Sequence, residues 1–375
     1  MHWREDGLSS RSCPSITNIA RDEWDKLFPH PAQSWAFYRA CELAPPNGFK
    51  LDAAAVYNRG SLVAAAPVFA TRFRLDMPFR DGTRSIISQL SRHIPNLGSV
   101  PLIGLGSPIL DRCDLGFAKE VRGSDRCGAF ASLLDTLRSR AADTGARVLA
   151  LKDIADDDTR WADAPLSEAG YTRIPSLPRC VLELPFANAN DYLESLSSSM
   201  RSDLRRKMRQ ASDVQCGVTD SVEGIEDDLF QLYEEQRERS AGNYNNFDSL
   251  SPAYFREVIG GLKGQARLMT CRVDGKLASF NLFIAGADRA VAHKIGLRNS
   301  LVRANNLYFV NWMTMVSYCI HHRIPRLELG QTSYALKKRL GCKIERSWTY
   351  FRHRYGTLNQ FFKILGPYAA FDRAV

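Results

Sequence analysis

Two stretches of the chain share a hairpin pattern, and this repeat is the main indication of the fold. Residues 54–71 read AAVYNRGSLVAAAPVFAT, and residues 268–285 read LMTCRVDGKLASFNLFIA. Each stretch has an apolar run, a two-residue turn that ends in glycine, and a second apolar run. The two turns are Arg59-Gly60 and Asp274-Gly275. Because such turns need positive φ at their central residues, both stretches predict a β-hairpin.

The sequence that follows each hairpin is also similar. A long insertion follows the first hairpin, and then come a helical stretch at 128–145 and a buried strand at 147–152. After the second hairpin we expect a strand at 290–297, a helix at about 305–322 and a strand at 325–329, because apolar residues recur there at strand and helix spacing. A meander that runs into a helix and another strand is a mixed α/β or α+β plan. Its recurrence favours a duplicated lobe over a chance likeness of two hairpins.

The predicted boundary between the two lobes lies near residue 180. An N-terminal lobe would span 1–179 and a C-terminal lobe 180–375. The region 73–108 departs from the repeat because it is rich in proline and glycine, which predicts an irregular insertion. Long insertions of this kind are often binding loops, so we consider it a candidate acceptor-side loop, with an ordinary packed connection as the alternative.

The composition excludes several classes of protein. The chain has 375 residues, 45% of them hydrophobic and 24% charged, which predicts two folded domains and excludes a low-complexity protein. Lys and Arg outnumber Asp and Glu by 50 to 41, so the formal net charge is +9. A basic surplus favours anionic partners, namely a nucleotide-bearing cofactor, a tRNA or an anionic membrane face, or it only keeps the protein soluble.

The cysteines and the N-terminal residues bear on the cellular compartment. The nine cysteines include no pair with CxxC spacing, so a zinc ribbon or a thioredoxin-type motif is not supported. The first residues lack the apolar core of a signal peptide, and no apolar run approaches the roughly 20 residues that span a bilayer. We therefore expect a cytoplasmic monomer or dimer without integral membrane association.

Several common catalytic motifs are missing from the sequence. We find no GxGxxG dinucleotide fingerprint, no GxxxxGK[ST] phosphate loop, no GxSxG nucleophile elbow and no HExxH metal motif. The sequence therefore predicts no metal site and no tightly bound cofactor.

The C-terminal block 327–354 is the region best suited to chemistry. It reads LELGQTSYALKKRLGCKIERSWTYFRHR, which predicts a short strand that ends at Gly330, a polar turn, and a brief helix that carries Lys337. Polar groups just beyond the carboxyl end of a strand lie where open sheets usually bind ligands. A lysine at that point can stabilise an oxyanion or hold a phosphate, although a solvated basic helix face is the alternative.

This block resembles the end of the Fem-type and BioF2-like branch of the GNAT acyltransferase superfamily. In that branch a strand ends in glycine, and a lysine follows four residues before a second glycine, as Lys337 and Gly341 do here. The stretch LESLSSSMRSDLRRKMRQA at 193–211 is similar to the family segment Leu-Ser-x-x-x-Arg-x-x-Leu-Arg-Arg. The tracts LYEEQRERS and SPAYFREV resemble its acceptor-side helices.

The resemblance implies an α/β (mixed α+β) fold of two GNAT-like lobes with mixed sheets and flanking helices, and an active site in the C-terminal lobe. It implies an N-acyltransferase whose donor is an acyl-CoA thioester or an aminoacyl-tRNA, bound as a substrate. The acceptor would be an amine on a small molecule or a peptide, and tRNA is a further candidate partner. The alternative is a GNAT-like protein without catalytic activity that binds a nucleotide-containing or cell-wall-related ligand or a protein partner.

The same resemblance, together with location, suggests the catalytic residues. Lys337 would contact the oxyanion or a donor phosphate, and Tyr334 would donate a proton to the leaving thiolate or ribose oxygen. Glu328 and His293 are the candidate general bases. The alternatives are that His293 is a hydrogen-bonded core residue and that strand alternation turns Glu328 away from the site.

The candidate donor-binding residues lie in two stretches. The segment RNSLVRANN at 298–306 replaces the glycine-rich QxxGxG loop of simple acetyltransferases, so its side chains would bind the donor. On the basic helix, arginines would contact tRNA phosphates. The candidates are Arg298, Arg303, Asn305 and Asn306 in the first stretch and Arg201 and Arg205 in the second. Loop and cap roles, and a solvated helix face, are the respective alternatives.

Overall fold

The computed structural model describes residues 7–73, 99–240, 249–356 and 359–360. These residues divide into two compact units, one formed within 1–29, 47–178 and 346–375, and the other within 30–46 and 179–345. The sequence-based division into 1–179 and 180–375 assumed contiguous lobes, whereas the chain passes between the units four times. None of the helices in the described ranges is long and apolar enough to cross a membrane.

The first unit contains a mixed sheet. Its strands, numbered along the whole chain, are β1 (Leu8–Cys13), β2 (Lys50–Asn58), β3 (Ser61–Phe73), β4 (Val100–Leu105), β5 (Gly116–Phe117), β6 (Val148–Ala155), β7 (Thr172–Pro175) and β15 (Ser347–His353). Its helices are α1 (Arg21–Leu27), α3 (Gly123–Thr144) and α4 (Asp156–Glu168). The strand order is β1-β2-β3-β4-β6-β15-β7, with β5 beside β3, and only β4 and β6 pair in parallel.

The second unit contains a seven-stranded mixed sheet. Its strands are β8 (Arg179–Glu183), β9 (Gln215–Thr219), β10 (Ala266–Val273), β11 (Lys276–Ala285), β12 (Ala290–Leu297), β13 (Arg326–Leu329) and β14 (Lys343–Glu345). Its helices are α2 (Trp35–Leu43), α5 (Ala189–Ser195), α6 (Ser198–Gln210), α7 (Glu226–Ser240), α8 (Pro252–Gly261), α9 (Leu307–His321) and α10 (Tyr334–Arg339). The strand order is β14-β8-β13-β12-β11-β10-β9, and only β12 and β13 pair in parallel.

The two sheets share one plan, as the repeated sequence pattern predicts. In each sheet four strands lie in order, a long helix (α3 or α9) then leads to a fifth, parallel strand, and two further strands complete the sheet. The sixth strand in space comes from a distant part of the sequence. It is β15, which follows the last segment of the second unit, in one sheet, and β8, which begins the segment 179–345 of the second unit, in the other.

The hairpin turns have the conformation that the sequence predicts. Arg59 and Gly60 have φ of 49° and 84°, and Asp274 and Gly275 have φ of 50° and 75°. Positive φ at both central residues matches the right-handed twist of the flanking strands. Both hairpins are therefore confirmed.

The prediction of an irregular insertion at 73–108 is wrong for its C-terminal part. Residues 74–98 lie outside the described residues. Val100–Leu105 forms β4, a regular strand between β3 and β6. Gly104 is needed there because a Cβ atom would lie 2.5 Å from the ring of Phe69. Pro101 is tolerated because it stands near the start of the strand. Close packing, and not a loop, thus explains both residues.

The buried hydroxyl group of Tyr192 connects three helices of the second unit. Tyr192, on α5, is fully buried, and its hydroxyl donates to the carbonyl oxygen of Leu340 at 2.9 Å. The same hydroxyl accepts a hydrogen bond from the indole Nε1 of Trp312 on α9 at 2.8 Å. One oxygen atom thus ties α5 to α9 and to the end of α10.

We expect Tyr192→Phe to lower the free energy of unfolding by about 1–3 kcal/mol, because it leaves a buried indole N–H and a buried carbonyl without their partner. Urea unfolding at neutral pH measures this change. Tyr355→Phe is the matched control, since Tyr355 is exposed and its change should stay within about 0.5 kcal/mol. Equal unfolding midpoints for the two variants would contradict this role of the hydroxyl.

Candidate functional site

The second unit has a cleft where two parallel strands separate. β12 and β13 pair only at Ala290 with Leu327 and at Val291 with Glu328, although β12 continues for six more residues. Each strand stays hydrogen-bonded on its other side, β12 to β11 and β13 to β8. In the first unit the corresponding strands, β4 and β6, remain paired over four residues. The parallel strands of the described chain therefore open a cleft in the second sheet and not in the first.

A cavity of about 120 Å³ occupies this cleft. That volume corresponds to about four water molecules, so it suits a small acyl group or the reacting end of a longer substrate. The cavity is lined by residues from β11, β12, β13, α9, α10 and the segment that leads into α10. They are Asn281, Ala292, His293, Lys294, Ile295, Tyr308, Asn311, Trp312, Met315, Leu327, Leu329, Gly330, Thr332 and Lys337.

Lys337 points into the protein, unlike its neighbours on α10. It is buried, whereas Lys338 and Arg339 are exposed. Its Nζ donates a hydrogen bond to the carbonyl oxygen of Gly330, at the end of β13. A buried ammonium group needs such an acceptor, and this one holds the charge at the wall of the cavity. The structure thus brings Lys337 to the place that the sequence predicts, just beyond the carboxyl end of a strand.

His293 also lines the cavity. Its Nε2 lies 2.5 Å from the hydroxyl oxygen of Tyr254, and its ring packs edge-on against Phe37. Burial, and to a smaller extent the neighbouring Lys294 ammonium, lowers the pKa of His293 well below its ordinary value. The imidazole is therefore neutral at physiological pH, and the same burial makes it a weaker base than a free imidazole.

Glu328 does not reach the cavity. Leu327 and Leu329 line it, and strand alternation turns Glu328 to the opposite face of β13. There its carboxylate is surrounded by three guanidinium groups. They belong to Arg289 at 3.5 Å, Arg326 at 3.6 Å and Arg179 at 3.7 Å. This placement fits a structural ion cluster at the paired end of β12 and β13, and it does not fit the general-base hypothesis.

Tyr334 is buried at the start of α10, three residues before Lys337. It is not among the residues that line the cavity. Its hydroxyl therefore does not share the site that brings His293 and Lys337 together.

The predicted donor-binding segment at 298–306 forms a series of turns between β12 and α9. Arg298 donates from Nε to the carbonyl oxygen of Leu277 at 3.2 Å and pairs with Glu235 at 3.7 Å. The Asn305 and Asn306 amides bond to Leu301 and Gln210, respectively, while Arg303 is exposed. Much of this segment thus stabilises its own turns, which precede the N-terminal end of α9.

Four of the five cationic side chains of the basic helix α6 form ion pairs, and they share two carboxylates. Arg201 and Arg205 both pair with Glu194, at 3.1 and 2.7 Å, and Arg206 pairs with Asp203 at 2.6 Å. Neighbouring carboxylates reduce the positive potential that a phosphate would meet. This arrangement supports the solvated-face interpretation of α6.

Two asparagines of the cavity wall, Asn281 on β11 and Asn311 on α9, were not among the site residues predicted from the sequence. Within the described residues, the Oδ1 atom of each is buried and has no hydrogen-bond partner. The amide nitrogen of Asn311 donates to the carbonyl oxygen of Leu307 at 3.0 Å, which fixes its oxygen on the other side. Each interrupts an apolar run, SFNLFI and YFVNWM, and that signal could have identified them.

The comparisons with known proteins agree with this geometry. Residues 198–338 match the family described as Acetyltransferase (GNAT) domain, a range that contains the whole cavity wall. The crystal structure of FemX is similar with a TM-score of 0.61 and 14% identity, over 92% of this chain and 98% of that chain. A tandem GNAT protein from the clavulanic acid biosynthesis pathway, solved without AcCoA, has a TM-score of 0.55 and 13% identity, over 92% and 98% of the two chains.

A third similar structure is the C-terminal domain of a putative lysylphosphatidylglycerol synthetase from Agrobacterium fabrum. Its TM-score is 0.51 at 13% identity, over 84% of this chain and 88% of that chain. No curated protein matches the sequence. The fold is thus that of tandem GNAT proteins with Fem-like lobes, and residues 198–338 match the GNAT acetyltransferase domain.

We expect Asn281→Leu to raise the free energy of unfolding by about 1 kcal/mol, because an apolar side chain of similar size removes a buried oxygen that has no partner. Urea unfolding measures the change. Asn305→Leu is the control, since it removes an amide that bonds to the Leu301 carbonyl, and it should not stabilise the protein. A loss of stability in Asn281→Leu would mean that the oxygen is satisfied in the folded protein.

The depressed pKa of His293 predicts a pH dependence of stability. Since the unfolded chain takes up a proton on this residue near pH 6.5 and the folded chain does so only at much lower pH, its contribution to stability is lost as the pH falls below about 6.5. His293→Gln keeps an amide for Tyr254 but cannot be protonated. We expect its unfolding midpoint to fall less than that of the wild type between pH 7.5 and pH 5, and parallel curves would refute this assignment.

Proposed function

We propose that this chain is an N-acyltransferase that moves an acyl or aminoacyl group from a CoA thioester or an aminoacyl-tRNA directly to an amine. The observation that carries the proposal is the cavity between β12 and β13, where His293 and Lys337 line one small space. The GNAT match over residues 198–338 supports acyl transfer in general. The acceptor amine would belong to a small molecule or a peptide.

In the proposed reaction the amine nitrogen attacks the carbonyl carbon of the donor. Lys337, whose ammonium group is held at the cavity wall by the Gly330 carbonyl, stabilises the negative charge that develops on the carbonyl oxygen. His293 accepts the proton that the amine loses. The carbon–sulfur bond, or the bond to the ribose oxygen of a tRNA donor, then breaks and releases the leaving group.

The leaving thiolate or ribose oxygen then takes up a proton, and Tyr334, which does not line the cavity, is not proposed as its donor. Cys342 does not offer a covalent route, because burial raises the pKa of its thiol to about 12 and keeps it protonated. The oxygens of Asn281 and Asn311 are suited to accept hydrogen bonds from N–H groups, either those of the incoming amine or those of amides in the donor arm.

Between the two donors, the described residues favour the thioester. Arg201 and Arg205, which would contact a tRNA, already share the carboxylate of Glu194. The cavity has room for a short acyl group. We therefore propose a short acyl-CoA as the first donor to test, with aminoacyl-tRNA as the second.

We expect Lys337→Met to lower kcat by about 10²–10³, the loss that follows removal of one donor to a developing oxyanion. Lys338→Met is the matched control, since the adjacent lysine on the same helix is exposed, and it should retain wild-type turnover. Circular dichroism and thermal unfolding check that both variants are folded. Full turnover in a folded Lys337→Met protein would remove Lys337 from the mechanism.

The donor class can be tested by thermal unfolding with acyl-CoAs of increasing chain length, free CoA, and charged and uncharged tRNA. A ligand raises the unfolding temperature by an amount that grows with its concentration over its Kd. Stabilisation by short acyl-CoAs, lost for long chains, supports the thioester donor. Salt-sensitive stabilisation by charged tRNA alone would instead support aminoacyl transfer, and stabilisation by neither would favour a binding protein without catalytic activity.

A further inference from the structure

Two cysteines of the second unit face each other across a strand pair. Cys216 on β9 and Cys271 on β10 are register partners in antiparallel pairing, so their side chains lie on the same face of the sheet. Directly opposed residues have Cα atoms about 4.5 or 5.5 Å apart, depending on the type of pair. Both separations fall within the range of roughly 4.4–6.8 Å that a disulfide bridges. The backbone therefore needs no rearrangement to accommodate a bond between the two sulfur atoms.

The two thiols already interact with each other. A hydrogen bond from the Cys271 thiol lowers the pKa of Cys216, and the same interaction, together with burial, raises the pKa of Cys271. The hydroxyl of Thr314 on α9 also hydrogen-bonds to Cys216. The negative charge of a thiolate is thus favoured on Cys216, and Cys271 keeps its proton.

Access to solvent distinguishes the two sulfur atoms. All nine cysteines lie in the described residues and are free thiols, and Cys216 is the exposed one, because β9 forms the edge of its sheet. Cys271 is buried and packs with Ala211 and Val310. An exposed thiolate beside a second, protonated thiol is the arrangement that reacts with peroxides and then forms a disulfide.

We propose that Cys216 and Cys271 form an intramolecular disulfide when the protein meets a peroxide. The Cys216 thiolate attacks one oxygen of the peroxide, the O–O bond breaks, and a sulfenic acid and hydroxide form. The Cys271 sulfur then attacks the sulfenic sulfur, its proton leaves with the displaced hydroxyl as water, and the S–S bond forms. Two thiols are oxidised and one hydrogen peroxide is reduced to two waters. This inference is independent of the proposed acyl transfer.

The disulfide would also restrain the segment before β9. Val214, two residues before Cys216, packs in one apolar cluster with Val302 and Leu307, which belong to the turns at 298–306 and to the start of α9. A covalent link at Cys216 fixes the edge strand next to these residues. Oxidation is therefore positioned to stiffen the segment that leads into α9.

The test uses the purified full-length chain and hydrogen peroxide in slight molar excess, followed by alkylation of the remaining thiols in denaturant, which exposes Cys271, and mass spectrometry of non-reduced peptides. We expect a linked peptide pair that contains Cys216 and Cys271 and disappears after treatment with dithiothreitol. Cys127→Ser, which removes a partly exposed thiol elsewhere, should form the same linked pair. Cys216→Ser, a change at an exposed position, should leave Cys271 fully alkylated.

A second variant separates the two chemical steps. In Cys271→Ala the sulfenic acid on Cys216 cannot be resolved, so dimedone should label Cys216 in this variant and label it at least several-fold less in the wild type. The wild-type and Cys216→Ser results remain decisive if Cys271→Ala does not fold. The proposal is overturned if peroxide leaves both wild-type thiols available for alkylation, or if it oxidises Cys216 to stable acids while Cys271 stays a free thiol.

Discussion

The site depends on how far two parallel strands stay together. β12 and β13 are hydrogen-bonded for two residue pairs and then separate, and the cavity occupies the gap. The closed end of the gap is held by the carboxylate of Glu328, with guanidinium groups from β8, from β13 and from the residue before β12 around it. Removing one partner from such a buried cluster leaves uncompensated charge, which typically costs about 3–5 kcal/mol. We therefore interpret Glu328 as the residue that fixes where the strands begin to separate.

The open end of the gap is held by α9 and by the residues that follow β13. The hydroxyl of Tyr192 fixes Trp312 of α9 and the end of α10 through two hydrogen bonds, and Trp312 also lines the cavity. Within this frame the protein keeps polar groups that do not help it fold. Among the residues that the structure describes, the oxygens of Asn281 and Asn311 are buried without a hydrogen-bond partner, and Lys337 is a buried cation. Such groups lower stability and are typical of sites that bind a ligand.

The sequence predicted those parts of the molecule that local patterns determine. The two hairpins follow from their turn residues, and β12 has the predicted bounds because alternation and flanking polar residues define it. Lys337 lies at the cavity because the end of β13 and the start of α10 are close in sequence.

The orientation of Glu328 depends on which face of β13 is buried, and the sequence left that open. β4 was missed because Gly104 is required by the ring of Phe69, a contact with another strand. The placement of β15 in the first sheet and of β8 in the second sheet depends on pairing between distant segments, for which a single sequence has no local signal.

The most direct test of the central claim is hydrogen–deuterium exchange of the wild-type chain with and without a short acyl-CoA. We predict slower amide exchange on donor binding in peptides that cover β12, residues 298–306 and residues 327–337. Peptides from β4 and β6, the paired parallel strands of the first unit, should be unchanged. Protection confined to β4 and β6, with none around β12 and β13, would contradict the assignment of the reaction centre to the second unit.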